Sequence, residues 1–246
     1  MTQSGLVTLI LLGSFIILIC LRFPIFFAIG LSCLFSFSFM GVSLGMIISK
    51  MVSGVNSFSL MCIPFFVLAG EIMSAGGISD KLVNLANSLV GHLTGGLAHV
   101  NVLASMFFGG VSGSPIADLS SLGVVEIPMM EKAGYDTDFS CGVTMASSIE
   151  ALLIPPSHNM IIFATAAGSV SIAGLFIAGL IPGILLGITM MIYCYFVSKK
   201  RNYPKGEKFS FKNFVAAFKD SILAMMTIVI ILVGILTGIC TATESA

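Results

Sequence analysis

Apolar residues in this chain come in long unbroken runs, with polar residues gathered into short joints between them. Gly5 to Leu21 is the first run, close to the roughly 20 residues that a helix needs to cross a bilayer core. Arg22, Phe23 and Pro24 break it, and a second run continues to about Ser49. Lys50 to Ser57 is a polar joint. A third run, Phe58 to Ala75, contains Pro64 and carries Glu71 near its end. Gly76 to Gly96 is too polar to cross. Its Leu82, Leu85, Leu89 and Val90 share one helical face, which predicts an amphipathic connector at the membrane interface. Ile172 to Val197 reads as a clean span, and Ser221 to Ile239 as another.

Two further runs are interrupted. Leu97 to Met130 is apolar at both ends and broken by "VSGSPIADLSSLG", Val111 to Gly123. Cys141 to Ala167 is broken by "IPPSHN", and the loop Glu131 to Phe139 joins the two. In hydrocarbon every backbone N–H and C=O needs a partner, so irregular backbone survives at depth only inside protein or beside a cavity. Two breaks in neighbouring runs therefore predict a site built from unwound backbone. Freed carbonyls suit a cation, and helix N-termini suit an anion.

Composition agrees with the pattern. Hydrophobic residues make up 57% of the 246 and charged residues 9%, against about 25% charged in a soluble domain. The prediction is an all-α polytopic membrane protein lodged in a lipid bilayer; continuous rather than alternating runs argue against a barrel. The first run has no basic leader and no A-x-A-like cleavage site, so it reads as a retained span. A net charge of zero gives no case for nucleic acid. Six cysteines without CxxC spacing read as packing residues. Seven of the eleven Lys and Arg residues lie between Lys199 and Lys219, which puts that segment in the cytoplasm. Phe211, Phe214, Val215 and Phe218 share one face of a short helix there, expected to lie flat on the membrane. If Leu97–Met130 crosses once, the N-terminus, Lys50 and Lys132 fall inside and Arg22 and Lys81 outside; if it enters and leaves on one side, which fits better by one charge, Arg22, Lys81 and Lys132 fall inside and Lys50 alone falls outside. The span from Ser221 then runs opposite to the first, which is an inverted repeat of the kind secondary transporters use.

At the first break, Gly113 permits a reversal, and Ser112 and Ser114 supply hydroxyls. Ser114 is placed to cap a helix whose first residue is Pro115, with Asp118 one turn in. At the second, Pro155 and Pro156 cannot both sit in a regular helix, and Ser157 opens the next one. Glu150, two turns before the break, and His158 and Asn159 just after it are candidates to meet a substrate. An enzyme reading also exists. "GVSG", Gly110 to Gly113, has the G-x-S-G form of rhomboid-type intramembrane serine proteases, with Ser112 as nucleophile and His158 as the only deep histidine. The AHxxG context of that family is missing.

The pieces "SFSLMCIPFFVLAGEIMSAGGIS" (Ser57 to Ser79), "SGSPIAD" (Ser112 to Asp118), "IPPS" (Ile154 to Ser157), "LFIAGLIPGILLG" (Leu175 to Gly187) and the terminal "TATESA" occur in order along the chain. As a set they resemble the large membrane subunit of tripartite ATP-independent periplasmic (TRAP) transporters. The resemblance implies an elevator-type fold of the ion-transporter superfamily, with a re-entrant hairpin and a broken helix. It implies a sodium-coupled permease in a bacterial inner membrane, not an enzyme, importing a small organic acid of dicarboxylate, sialic acid or sugar-acid type. The partners it implies are a small TRAP membrane subunit and a periplasmic substrate-binding protein. Co-transported sodium is then assigned to Ser112, Gly113 and Ser114 at the tip and Pro155, Pro156 and Ser157 at the break, through hydroxyl or backbone oxygen. No organic cofactor is expected. Pro115, Glu150 and the "HNM" after "IPPS" depart from the family's usual residues.

The expected organisation is scaffold helices and an interfacial connector over 1–96, a transport hairpin and broken helix over 97–168, and a closing span over 169–198. A basic amphipathic linker follows over 199–220, and the start of a second repeat over 221–246. A second hairpin and second broken helix lie outside these residues. The chain is accordingly expected to be the first part of such a subunit, whether as a truncated product, a fragment or one piece of a split subunit.

Overall fold

Glycine and proline punctuate the apolar runs where the backbone bends. The computed structural model describes residues 3–168, 170–206 and 208–245 and is helical throughout its named elements. It divides into two units, Met1–Ser57 and Phe58–Ala246.

The first unit holds α1 (Gln3–Cys20), α2 (Ile25–Phe39) and α3 (Leu44–Val55). The α1 boundaries match the first apolar run. The second run is cut in two, because Gly41 takes a left-handed conformation at φ +73° and ends the helix before Leu44. The "polar joint" is also mostly helix: α3 continues to Val55, since Lys50 and Ser53 satisfy their backbone groups in the helix and keep their side chains exposed.

The second unit starts with a 3-10 turn (Phe58–Met61) and α4 (Cys62–Ala75), followed by α5 (Ile78–Val90). Leu82, Val83, Leu85 and Ala86 of α5 are buried. Leu82, Val83 and Ala86 pack against protein rather than lipid, in a cluster with Val100, Ala104, Phe108 and Ala224. Next come α6 (Gly96–Ser112), α7 (Pro115–Ser121) and α8 (Gly123–Lys132), which turn back at the Ser-Gly-Ser tip so that α7 and α8 pack along α6. Then α9 (Thr137–Ser148) runs into a 3-10 turn (Ile149–Leu152), an irregular stretch through the prolines, and α10 (His158–Ala167). After α11 (Ile172–Arg201) and α12 (Phe211–Leu236), a short α13 (Ala242–Ser245) ends the described residues.

Among the described residues, three segments are long and apolar enough to cross a membrane: Phe58–Ala75, Ile172–Arg201 and Phe211–Leu236. Four shorter apolar helices accompany them. Their outer faces carry large bare apolar side chains, such as Ile181 and Phe196 on α11. Such a surface is stable against lipid or another apolar partner.

The flat surface helix expected around Phe211 does not exist as a separate element. Phe211–Leu236 is one uninterrupted helix of 26 residues, about 39 Å long at 1.5 Å per residue. A hydrocarbon core is only about 30 Å thick, so a helix of this length tilts within it or extends beyond it. The six cysteines are all free.

Candidate functional site

Local chemistry builds each half of the site. At the tip, α6 ends because Gly113 adopts φ +60°. Ser114 then caps α7, its Oγ accepting from the Ala117 N–H at 3.4 Å with Pro115 in the first turn. Ser112 Oγ accepts from the Ser114 N–H at 3.4 Å. At the break, the Pro155–Pro156 bond is cis and the helix does not resume until His158. Ser157 Oγ reaches back to donate to the Leu152 carbonyl at 2.8 Å.

The two halves meet. The His158 N–H donates to the Gly113 carbonyl at 3.4 Å. A methyl group added at Gly113 would run into the Pro156 carbonyl oxygen and lie 3.4 Å from His158 Cδ2. The tip can come this close to the break only because residue 113 has no side chain. Ser112, Gly113, Pro155, Pro156 and Ser157 are all buried, while Ser114 is half-buried. Oxygen is the only donor type these six residues present: two hydroxyls at the tip, one at the break, and the carbonyls. A hard cation such as sodium prefers that donor type.

Glycines on two neighbouring helices let the break sit against them. On α6, a Cβ at Gly109 would lie 2.9 Å from Ala151 Cα. On α11, Gly179, Gly183 and Gly187 recur every fourth residue and face Leu153, Ile154 and Glu150. Close approach through small residues is how helices pack in lipid. On α4, Gly70 faces Ser112, with 3.3 Å between an added Cβ and the serine Cβ.

The other four expected site residues part company. His158 is 8% exposed and Asn159 is exposed, both beside the break. Asp118 and Glu150 are completely buried behind the tip and the break. His158 is not the only deep histidine, because His99 on α6 is 2% exposed. His158 Nε2 has no hydrogen-bond partner among the described residues.

Sequence reading missed two features. Glu126 on α8 is completely buried; an acid inside "GVVEIPMM" was the available signal. A polar seam between α6 and α9 was also missed. Asn101 Nδ2 donates to Thr144 Oγ1 at 2.8 Å, and Ser147 Oγ donates to Asn101 Oδ1 at 2.8 Å. No local pattern marks these residues, since each is an ordinary polar residue until the helices pair.

The sequence model described as "Tripartite ATP-independent periplasmic transporter, DctM component" matches residues 12–246. The chain belongs to that family. It is 44% identical to the sialic acid TRAP transporter large permease protein SiaM of Vibrio cholerae, over 80% of this chain and 46% of that protein. It is 42% identical to the 2,3-diketo-L-gulonate TRAP transporter large permease protein YiaN of Escherichia coli, over 79% of this chain and 46% of that one. With the C4-dicarboxylate TRAP transporter large permease protein DctM of Rhodobacter capsulatus it shares 34% identity, over 97% of this chain and 57% of the other. The chain spans about half the length of these relatives. A DctM-component protein is a membrane permease and not an enzyme, so the protease reading of Ser112 falls.

Proposed function

We propose that this chain is the first half of the large permease of a sodium-coupled TRAP importer in a bacterial inner membrane. Its cargo is a small organic acid, delivered by a periplasmic binding protein to a complex with a small membrane subunit. The observation that carries the reading is the meeting of the two interrupted segments at Gly113, Pro156 and His158. The Gly113 and Pro156 carbonyls and the hydroxyls of Ser112, Ser114 and Ser157 belong to these two segments, which carry no Lys or Arg, and the basic side chain beside them is His158. Sodium is cargo at this site, held while the tip and break move together. His158 and Asn159 stand at the N-terminus of α10, where the helix dipole favours a carboxylate. The relatives' names support an acidic cargo, since they include sialic acid, diketogulonate and C4-dicarboxylate permeases.

An elevator motion fits the packing. The hairpin, the break and α10 are linked through one buried region, and the glycine face of α11 offers a smooth partner. The test is uptake of a labelled organic acid into proteoliposomes holding the complete permease, its small subunit and its binding protein. The expected result is uptake that requires an inward sodium gradient and collapses when choline replaces sodium. Full uptake in choline, by an intact complex, would overturn the coupling.

A further inference from the structure

The polar face of α5, the linker between α11 and α12 and the first turns of α12 take no part in the tip or the break. Together they enclose a cleft of about 530 Å³, a size usual for small-ligand sites. Packing fixes its place. Leu82, Val83 and Ala86 of α5 are drawn into the core, which leaves Asn84 and Asn87 of the same helix exposed along one side of the cleft. The linker crosses the other side. An antiparallel bridge between Thr94 and Lys205 holds it there, and the Gly95 N–H donates to the Pro204 carbonyl at 3.2 Å. A Cβ at Gly206 would run into the Gly91 carbonyl oxygen, so only glycine lets the linker lie this close to the end of α5. Lys205 and Lys208 of the linker line the cleft, with His92 after α5 and Asn213 of α12.

This lining suits an anion that also carries hydroxyl groups. Lys205 and Lys208 bring two ammonium groups, the point charges that phosphate accepts. No Asp or Glu lines the cleft among the described residues; Glu207, between the two lysines, lies outside those residues. Asn84, Asn87 and Asn213 bring three amides, each with donors and an acceptor for neutral hydroxyls. Among the described residues these amides have no hydrogen-bond partner.

Two observations favour a lipid headgroup over an anion free in solution. The linker joins two of the segments long and apolar enough to span, so the cleft lies at a membrane surface. A row of aromatic rings also leaves it. The Phe209 ring meets His92 edge-on at 5.8 Å and lies 6.5 Å from Phe214, which is 6.0 Å from Phe218. Phe209 and Phe218 are exposed. The row leads towards the apolar stretch of α12 that begins at Ser221. Exposed phenylalanines in such a place sit at the boundary of headgroups and acyl chains. A soluble anion would make no use of them.

We propose that the cleft binds an anionic phospholipid whose headgroup carries hydroxyls, of the phosphatidylglycerol class. The phosphate pairs with Lys205 and Lys208, and the headgroup hydroxyls hydrogen-bond to Asn84, Asn87 and Asn213. An acyl chain lies along Phe209, Phe214 and Phe218. Ala133 and Tyr135, from the loop between α8 and α9, supply a further wall. A bound lipid therefore touches the base of the hairpin, α5 and α12 at once. The site does not depend on the sodium reading.

The test uses the complete purified permease, stripped of lipid in detergent. It is titrated with phosphatidylglycerol, phosphatidylcholine or phosphatidic acid of the same acyl chains, and bound lipid is counted by native mass spectrometry. The wild type should hold one phosphatidylglycerol at least about tenfold more tightly than phosphatidylcholine. Lys205→Gln together with Lys208→Gln should weaken phosphatidylglycerol about 30-fold, the usual weight of two basic groups at an anionic lipid surface. Lys199→Gln together with Lys200→Gln removes two exposed charges outside the cleft and should leave binding unchanged. Asn213→Ala should weaken phosphatidylglycerol about threefold and spare phosphatidic acid, which has no headgroup hydroxyls. A wild type without preference for phosphatidylglycerol over phosphatidylcholine, which needs no variant to fold, would overturn the proposal. Equal losses from the two lysine pairs would do the same, because they would mean general attraction between charges. Glycerol phosphate that displaces the lipid at equal concentration would make the occupant a soluble anion. An Asn213→Ala variant that treats the two anionic lipids alike would remove the headgroup assignment.

Discussion

Gly113 combines two demands, as Gly95 does at φ +72° against Ser198. Its φ of +60° lies in the left-handed region, and a Cβ there would strike the Pro156 carbonyl oxygen. Gly134, at φ +91°, has the same backbone demand but open space around it. Gly134→Ala should therefore lower stability by only the conformational cost, about 1–2 kcal/mol. Gly113→Ala should cost more and also prise the tip from the break. Thermal unfolding of both variants in detergent checks this, and equal losses would mean that tip and break do not touch. Asp136 supplies a pH prediction. The Tyr203 hydroxyl donates to its Oδ2 at 2.7 Å and the Arg201 guanidinium also pairs with it. These two bonds, the tyrosine's first, hold the Asp136 carboxyl below the usual carboxylate value. A lowered folded-state value stabilises the fold above the unfolded value, about 3.9. That contribution disappears as pH falls through the folded-state value. Asp136→Asn should flatten this part of the acid unfolding profile, and added salt should shrink the difference because the pair is exposed.

Among the elements, both interruptions were legible because glycine and proline act on their own local backbone. "SGSP" ends one helix and caps the next, and "PPS" leaves donors missing wherever it is placed. The α12 helix was not legible as one piece. Its basic, aromatic start and apolar remainder look like two segments by hydropathy, yet the i to i−4 hydrogen bonds run through regardless of polarity. The α5 helix was read as a surface connector because its amphipathic face says that something apolar covers it, but not whether lipid or protein does. Glu126 and the Asn101 seam depend on how α6, α8 and α9 pair, which no single segment encodes. The seam gives a measurable coupling. A double-mutant cycle of Asn101→Ala and Ser147→Ala should return about 0.6 kcal/mol, up to about 1.7. Additive losses would mean that the Ser147 to Asn101 hydrogen bond contributes nothing to α6–α9 pairing.

For the whole molecule, the chain is a DctM-component permease segment about half as long as its relatives. The claim at this scale is that its two interrupted segments make one cation-binding unit. Tip and break meet within this chain, where the His158 N–H donates to the Gly113 carbonyl at 3.4 Å. Radioactive sodium binding to the complete permease, compared with Ser112→Ala, Ser157→Ala and the exposed control Ser120→Ala, tests the claim most directly. Ser112→Ala and Ser157→Ala should each weaken sodium binding about tenfold, the equivalent of about 1.4 kcal/mol, with Ser120→Ala unchanged. Wild-type affinity in both Ser112→Ala and Ser157→Ala would contradict it.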